Sequence, residues 1–165
     1  MTRFADLPAL VLGPLAGRPD RDWYQAPPGK WNPAQIVEHL ALGIEWSGKG
    51  FEDRRARDPM TRRPRSLRER VSKLVLMGLG FFPPGRKAPS ASVPADHVDR
   101  AAAEARFREG VARFRSLEGL LLPARAHDLY VKHPRLGDLT LEEWEAFHVL
   151  HARHHAKQIR ARLAR

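Results

Sequence analysis

The sequence predicts an all-α protein, a bundle of helices around one core, and three observations carry this. Apolar residues recur at three- and four-residue spacing over long stretches, and sharp helix-start signals stand at Asn32 and Thr140. No segment alternates with period two for long enough to make a strand. The chain has 165 residues, no repeat and no linker between composition regimes, so residues 1–165 are expected to form a single domain.

A first short helix is predicted over Asp6 to Ala16, with Pro8 in its first turn, where a missing N–H costs nothing. Residues Gly17 to Lys30 hold Pro19, Pro27, Pro28 and Gly29 and read as a loop. The next helix starts at Asn32, a capping residue followed by Pro33 and, three positions on, Gln35. Ile36, Val37, Leu40, Ile44 and Trp46 give it an apolar face to about Glu52, and His39 lies on the side of Ile36 and Leu40.

A third helix is expected from Ser66 to Leu79, with Val71, Leu74, Val75 and Leu79 inward. Four prolines and a glycine keep Phe82 to Pro94 out of regular structure. A long helix follows over Asp99 to Leu122, with Ala103, Phe107, Val111, Phe114 and Leu117 in one stripe. Thr140 and Glu143 form a capping box that opens a last helix reaching almost to the C-terminus.

Absence of cysteine excludes disulfides, thiolate metal sites and a cysteine nucleophile. Any metal must be held by imidazole or carboxylate, which suits a first-row divalent ion. The N-terminal apolar stretch is broken by Pro8, Gly13 and Pro14, unlike a secretory signal. The run Leu74 to Phe82 is too short to span a bilayer. No membrane association and a cytoplasmic location are therefore expected. That run is more apolar than one buried stripe requires, which points to a homodimer through a bundle face.

The net charge is +10, and 23 of the 29 basic residues are Arg. The densest basic stretch, Arg54 to Arg70, is interrupted by Asp58 and Glu69 and offers no aromatic ring for base stacking. It reads as a solvated surface, and no specific nucleic-acid partner is expected.

Of eight histidines, five fall between residues 133 and 155. At 100° per residue, His148, His151 and His155 lie within about 60° of one another, on the stripe of Trp144 and Ile159, and His154 points away. The i, i+4 pair His151 and His155 can aim two imidazoles at one point, as helical histidine pairs do in metalloproteases. One helix supplies two such ligands comfortably, and His39 is the only histidine inside an earlier helix. A histidine on an apolar face is more often a hydrogen-bonded core residue than a ligand, and on the residues alone both readings stand. His148 suits a structural role or a supporting hydrogen bond, with substitution as a ligand the other option. His133, before Pro134, reads as a loop residue, His97 and His127 as surface residues, and His154 as solvated or at an interface.

The stretch Trp31-Asn32-Pro33-Ala34-Gln35-Ile36-Val37-Glu38-His39-Leu40 resembles the first helix of the DinB-like (YfiT-like) superfamily. His133-Pro134-x-x-Gly137-x-Leu139-Thr140-x-x-Glu143-Trp144, followed by His151-x-x-His154-His155-x-x-Gln158-Ile159, is similar to its final helix and narrows the likeness to a largely uncharacterised branch. The resemblance implies a four-helix bundle with a long crossover connection and one divalent metal ion held by His39, His151 and His155. Many members carry Arg-Gly-Gln after the double histidine. Here the residues are Ala156-Lys157-Gln158, so that Gln158 matches, as a group supporting a ligand, and the glycine does not.

Three neutral imidazoles leave positions for water or substrate, the mark of a catalytic rather than a structural site. Zinc, nickel, manganese and iron are equally compatible with that donor set. Superfamily members include transferases and isomerases that use low-molecular-weight bacterial thiols. The expectation is therefore a metal-dependent enzyme that transfers a thiol to a small electrophilic substrate. Metal-dependent hydrolysis and a non-catalytic, metal-stabilised stress-response or binding protein are the alternatives.

Overall fold

The computed structural model describes residues 2–83 and 87–164. The protein is mostly helical, with one small antiparallel sheet. The helices are α1 (Leu7–Leu12), α2 (Asp20–Tyr24), α3 (Pro33–Glu52), α4 (Leu67–Lys73), α5 (Arg100–Leu121) and α6 (Leu141–Leu163). Short 3₁₀ turns at Phe4–Asp6 and Gly13–Leu15 flank α1 and complete the first expected helix.

Local chemistry sets the long helices where the sequence placed them. Asn32 Oδ1 accepts from the Gln35 amide at 2.9 Å and Gln35 Oε1 from the Asn32 amide at 3.1 Å, a reciprocal cap at the start of α3. Thr140 and Glu143 do the same for α6, and Asp99 caps α5 by accepting from Ala102 N at 2.7 Å. α3 lies along α5 and also meets α6, while α1 packs on α6. Ile36, Val37, Ile44, Phe51, Phe107, Phe114, Trp144 and Ile159 fill the space between them. Gly48 admits the close approach of Phe114, whose Cδ2 would stand 3.3 Å from a Cβ there.

Three expectations are corrected. The loop from Gly17 to Lys30 contains α2, whose Trp23 is buried in the core. The third helix is split: α4 is followed by a π-helical turn at Leu74–Gly78, where Leu79 N donates to Leu74 O at 2.9 Å. One extra residue per turn rotates the face that follows. Leu76 turns inward, Leu79 is exposed and Val75 is half-buried; Val71 and Leu74, which stand before the shift, are exposed as well.

The third correction is a β-hairpin, β1 (Val131–His133) and β2 (Gly137–Leu139), paired Val131↔Leu139, Lys132↔Asp138 and His133↔Gly137. Strands of three residues are too short for alternation to register in the sequence. The Pro134–Leu136 loop is closed by Gly137 at φ +75°, a conformation that favours glycine. Of the expected irregular segment Phe82 to Pro94, residues 84–86 lie outside the described residues, and Ser90–Ser92 forms a 3₁₀ turn.

Part of the basic stretch is used internally. Arg62 pairs with Glu143 and Arg63 with the buried Asp138, while Arg65 donates to the carbonyls of Leu136 at 2.8 Å and Asp138 at 2.7 Å. These bonds lash the segment before α4 onto the hairpin. Among the described residues, no helix is long and apolar enough to cross a membrane.

Candidate metal centre

His39 is carried by the middle of α3, and His151 and His155 by successive turns of α6. Their ring nitrogens meet where the two helices face each other: His39 Nε2 lies 3.2 Å from His151 Nε2, which lies 3.0 Å from His155 Nε2. One ligand atom from each of the three falls within 4.8 Å of the others, so these residues could hold a metal ion.

The outer edges of the rings decide what the inner edges present. His39 Nδ1 stands 2.6 Å from the Ser92 carbonyl, which can only accept, so Nδ1 carries the proton and Nε2 a bare lone pair. His155 Nδ1 likewise donates to Gln158 Oε1 at 3.0 Å. His151 Nε2 therefore sits at hydrogen-bond distance from two acceptors and can donate to one of them at most. The other acceptor is left without a proton to accept, and a shared cation removes that conflict.

The spacing fits as well. Two nitrogens about 2.0–2.1 Å from one ion stand roughly 2.9 to 3.4 Å apart for octahedral to tetrahedral angles. Both measured separations fall in that range. The donor set thus suits a first-row divalent ion.

Neighbouring groups hold the rings in place. Gln35 Nε2 donates to the carbonyls of Ala95 and Asp96, and Glu38 accepts from Ala95 N at 2.8 Å, which ties the segment after Ser92 to α3. Gln158 bridges two histidines, donating from Nε2 to His154 Nε2 at 2.9 Å. Trp31 packs on His39 at 4.8 Å between ring centroids, and Phe82 stacks on His151 and His154 at 5.6 and 5.0 Å.

Burial holds the cluster neutral. Loss of hydration pushes His39 down, pushes His151 well below its usual value and brings His155 to about 3; the neighbouring imidazoles add to the last two shifts. His148 does not join the cluster. It is buried, its Nε2 is 2.9 Å from Ser47 Oγ, and it stacks on Trp144, with burial lowering it to about 3.

His39 and His151 border a cleft of about 430 Å³ between α3, α6, the π-helical turn and the hairpin loop. Trp46, Leu76, Phe82, Trp144 and Phe147 supply its apolar walls, and no carboxylate lines it among the described residues. Lys87 and Arg135 stand in its lining.

Sequence reasoning passed over His133. It ends β1, is buried against Trp144 and Phe147, and accepts at Nδ1 from the amides of Arg135 at 3.0 Å and Leu136 at 3.2 Å. The one available signal was its place in His-Pro-x-x-Gly, which is turn chemistry. The Ser92 carbonyl left no signal at all. His97 and His127 are exposed, and His154 is half-buried.

No curated protein matches the chain, and no solved structure does. A family described as "Protein of unknown function (DUF1569)" matches residues 20–162, a span that includes His39, His151 and His155. With that match covering most of its length, the chain belongs to the DUF1569 family.

Proposed function

We propose that the protein is a metal-dependent enzyme that transfers a small thiol to an electrophilic small molecule, with His39, His151 and His155 holding one divalent ion. The observation that carries this reading is the meeting of three imidazole nitrogens, two of them committed as acceptors, beside an apolar cleft without a carboxylate. The resemblance of the two histidine helices to the DinB-like superfamily supports the same ligand set. It also supports the finer fold, a four-helix bundle with a long crossover.

When bound, a divalent ion on three neutral ligands supplies a Lewis acid that lowers the pKa of a thiol or a water. The chain's own residues do the rest. Ser92 and Gln158 fix the tautomers of His39 and His155, so that both face inward as neutral donors of electron pairs. Trp46, Trp144, Phe82 and Phe147 exclude water from the cleft and offer aromatic surface to an organic electrophile. The cleft volume suits a molecule of small-substrate size.

The test uses protein stripped by a chelator and reloaded separately with zinc, nickel, manganese or iron. Consumption of a low-molecular-weight thiol with 1-chloro-2,4-dinitrobenzene as electrophile is followed, with an activated ester as a parallel probe. Turnover of thiol and electrophile that disappears on chelation and in His151→Ala supports the proposal. Metal-dependent ester cleavage without thiol use replaces it with hydrolysis. Loss of the helical signal on stripping, with no turnover of either probe, assigns the ion a structural role instead.

A further inference from the structure

We propose that His133 is a substrate-binding residue and that the cleft is built for a small organic carboxylate with an apolar or aromatic body. This deepens the reading above and rests on it for where the reacting end of the molecule lies.

The tautomer of His133 is fixed by the hairpin. Two backbone amides, those of Arg135 and Leu136, donate to Nδ1, so this nitrogen carries no proton. Burial, with help from the Arg135 charge, holds the ring at about 4, and it is neutral near pH 7. The single ring proton therefore sits on Nε2. His133 is 7% exposed and lines the cleft, and Nε2 has no hydrogen-bond partner among the described residues. A donor held this firmly on an apolar wall awaits an acceptor.

The charges around it state which acceptor. Arg135 and Lys87 both line the cleft, and neither has a carboxylate partner among the described residues. The Arg135 guanidinium donates to the Lys87 backbone carbonyl at 3.2 Å, which sets the two residues side by side in the lining. With no carboxylate in the lining, the charged side chains of the cleft are cations, which favours an anion.

Phe147 sets the distance to the chemistry. Its ring lies 4.6 Å from that of His133 and 5.3 Å from that of His151. A carboxylate on His133 Nε2 would thus lay its apolar body over Phe147 and bring its far end to the three imidazoles.

The experiment measures binding of 3-phenylpropionate, 3-phenylpropanol and 3-phenylpropylamine by titration calorimetry, on metal-loaded and on chelator-stripped protein. The carboxylate is expected to bind more tightly than the alcohol in both forms and the amine not at all. His133→Asn keeps an acceptor for the two turn amides but removes the Nε2 donor. It is expected to weaken carboxylate binding roughly tenfold to a hundredfold, the range for a hydrogen bond to a charged group, and to leave the alcohol within a few-fold. Arg135→Gln is expected to weaken the carboxylate a few-fold and flatten its salt dependence.

Equal binding of carboxylate and alcohol, or carboxylate binding unchanged in His133→Asn, overturns the proposal. So does carboxylate binding seen only with metal present, since the anion would then sit on the ion. Preserved discrimination in the stripped protein alongside absent turnover would instead sink the catalytic reading and leave this one standing. If His133→Asn fails to fold, the probe series with Arg135→Gln decides: no discrimination and no effect of the substitution refute the proposal.

Discussion

Replacing His151 by Phe should abolish metal binding and make the metal-free protein more stable. His151 Nε2 lies 3.0 and 3.2 Å from two nitrogens already committed as acceptors, so in the metal-free state one of these contacts is unsatisfied. Leaving a buried polar group without a partner costs about 1–3 kcal/mol. The His151 ring packs against Phe82 at 5.6 Å and Phe147 at 5.3 Å, both within 25° of parallel, and a phenyl ring can make the same contacts beside the cleft. The variant should gain about 1–3 kcal/mol by removing the conflict, less any cost of its extra volume. Metal should act the other way. A site-specific ion at a thousand times its Kd stabilises the wild type by about 4 kcal/mol, and the variant should lose most of that. The assay is urea unfolding followed by circular dichroism, with chelator and with saturating zinc. Two results would refute the reasoning: equal stabilisation of both proteins by zinc, or a metal-free variant less stable than the metal-free wild type.

Gln158→Leu removes the acceptor on His155 Nδ1 and should weaken metal affinity about 10–100-fold without changing the helical content, as measured by competition with a chromophoric chelator. His133 and His148 have folded pKa values near 4 and 3 against an ordinary 6.5, so between those limits the unfolded chain binds more protons and stability falls as the pH falls. Each should cost about 1 kcal/mol by pH 5.5 relative to neutral pH, seen in urea midpoints of stripped protein; Glu145, pushed up to about 8 by burial and its Glu118 neighbour, works in the opposite sense but is half-exposed and offsets only part of this. A pH profile in His148→Gln unchanged from that of the wild type would contradict the assignment of that residue's share. Gly50→Ala would bring a Cβ to 2.8 Å from Val131 Cγ1, and the hairpin must shift, at a cost of about 1–3 kcal/mol in thermal or urea unfolding.

What the sequence determined by itself is what short-range physics controls. The caps at Asn32 and Thr140 act within three residues, and the apolar stripes of α3, α5 and α6 follow from helical periodicity, so their positions were legible. The His151 and His155 pair was legible for the same reason, because one helical turn places them side by side. Only the tertiary structure decided the rest. His39 meets its supporting carbonyl at Ser92, 53 residues away, through a segment fastened to α3 by Gln35 and Glu38. The segment after α4 departs from the expected face because a π-helical turn, which has no sequence period of its own, shifts the register there. His133 reads as a loop residue in the sequence because its burial and its tautomer come from a nine-residue hairpin folded against α6. The two strands are too short to leave a pattern, and long-range packing alone fixes which of the two ring nitrogens the cleft receives.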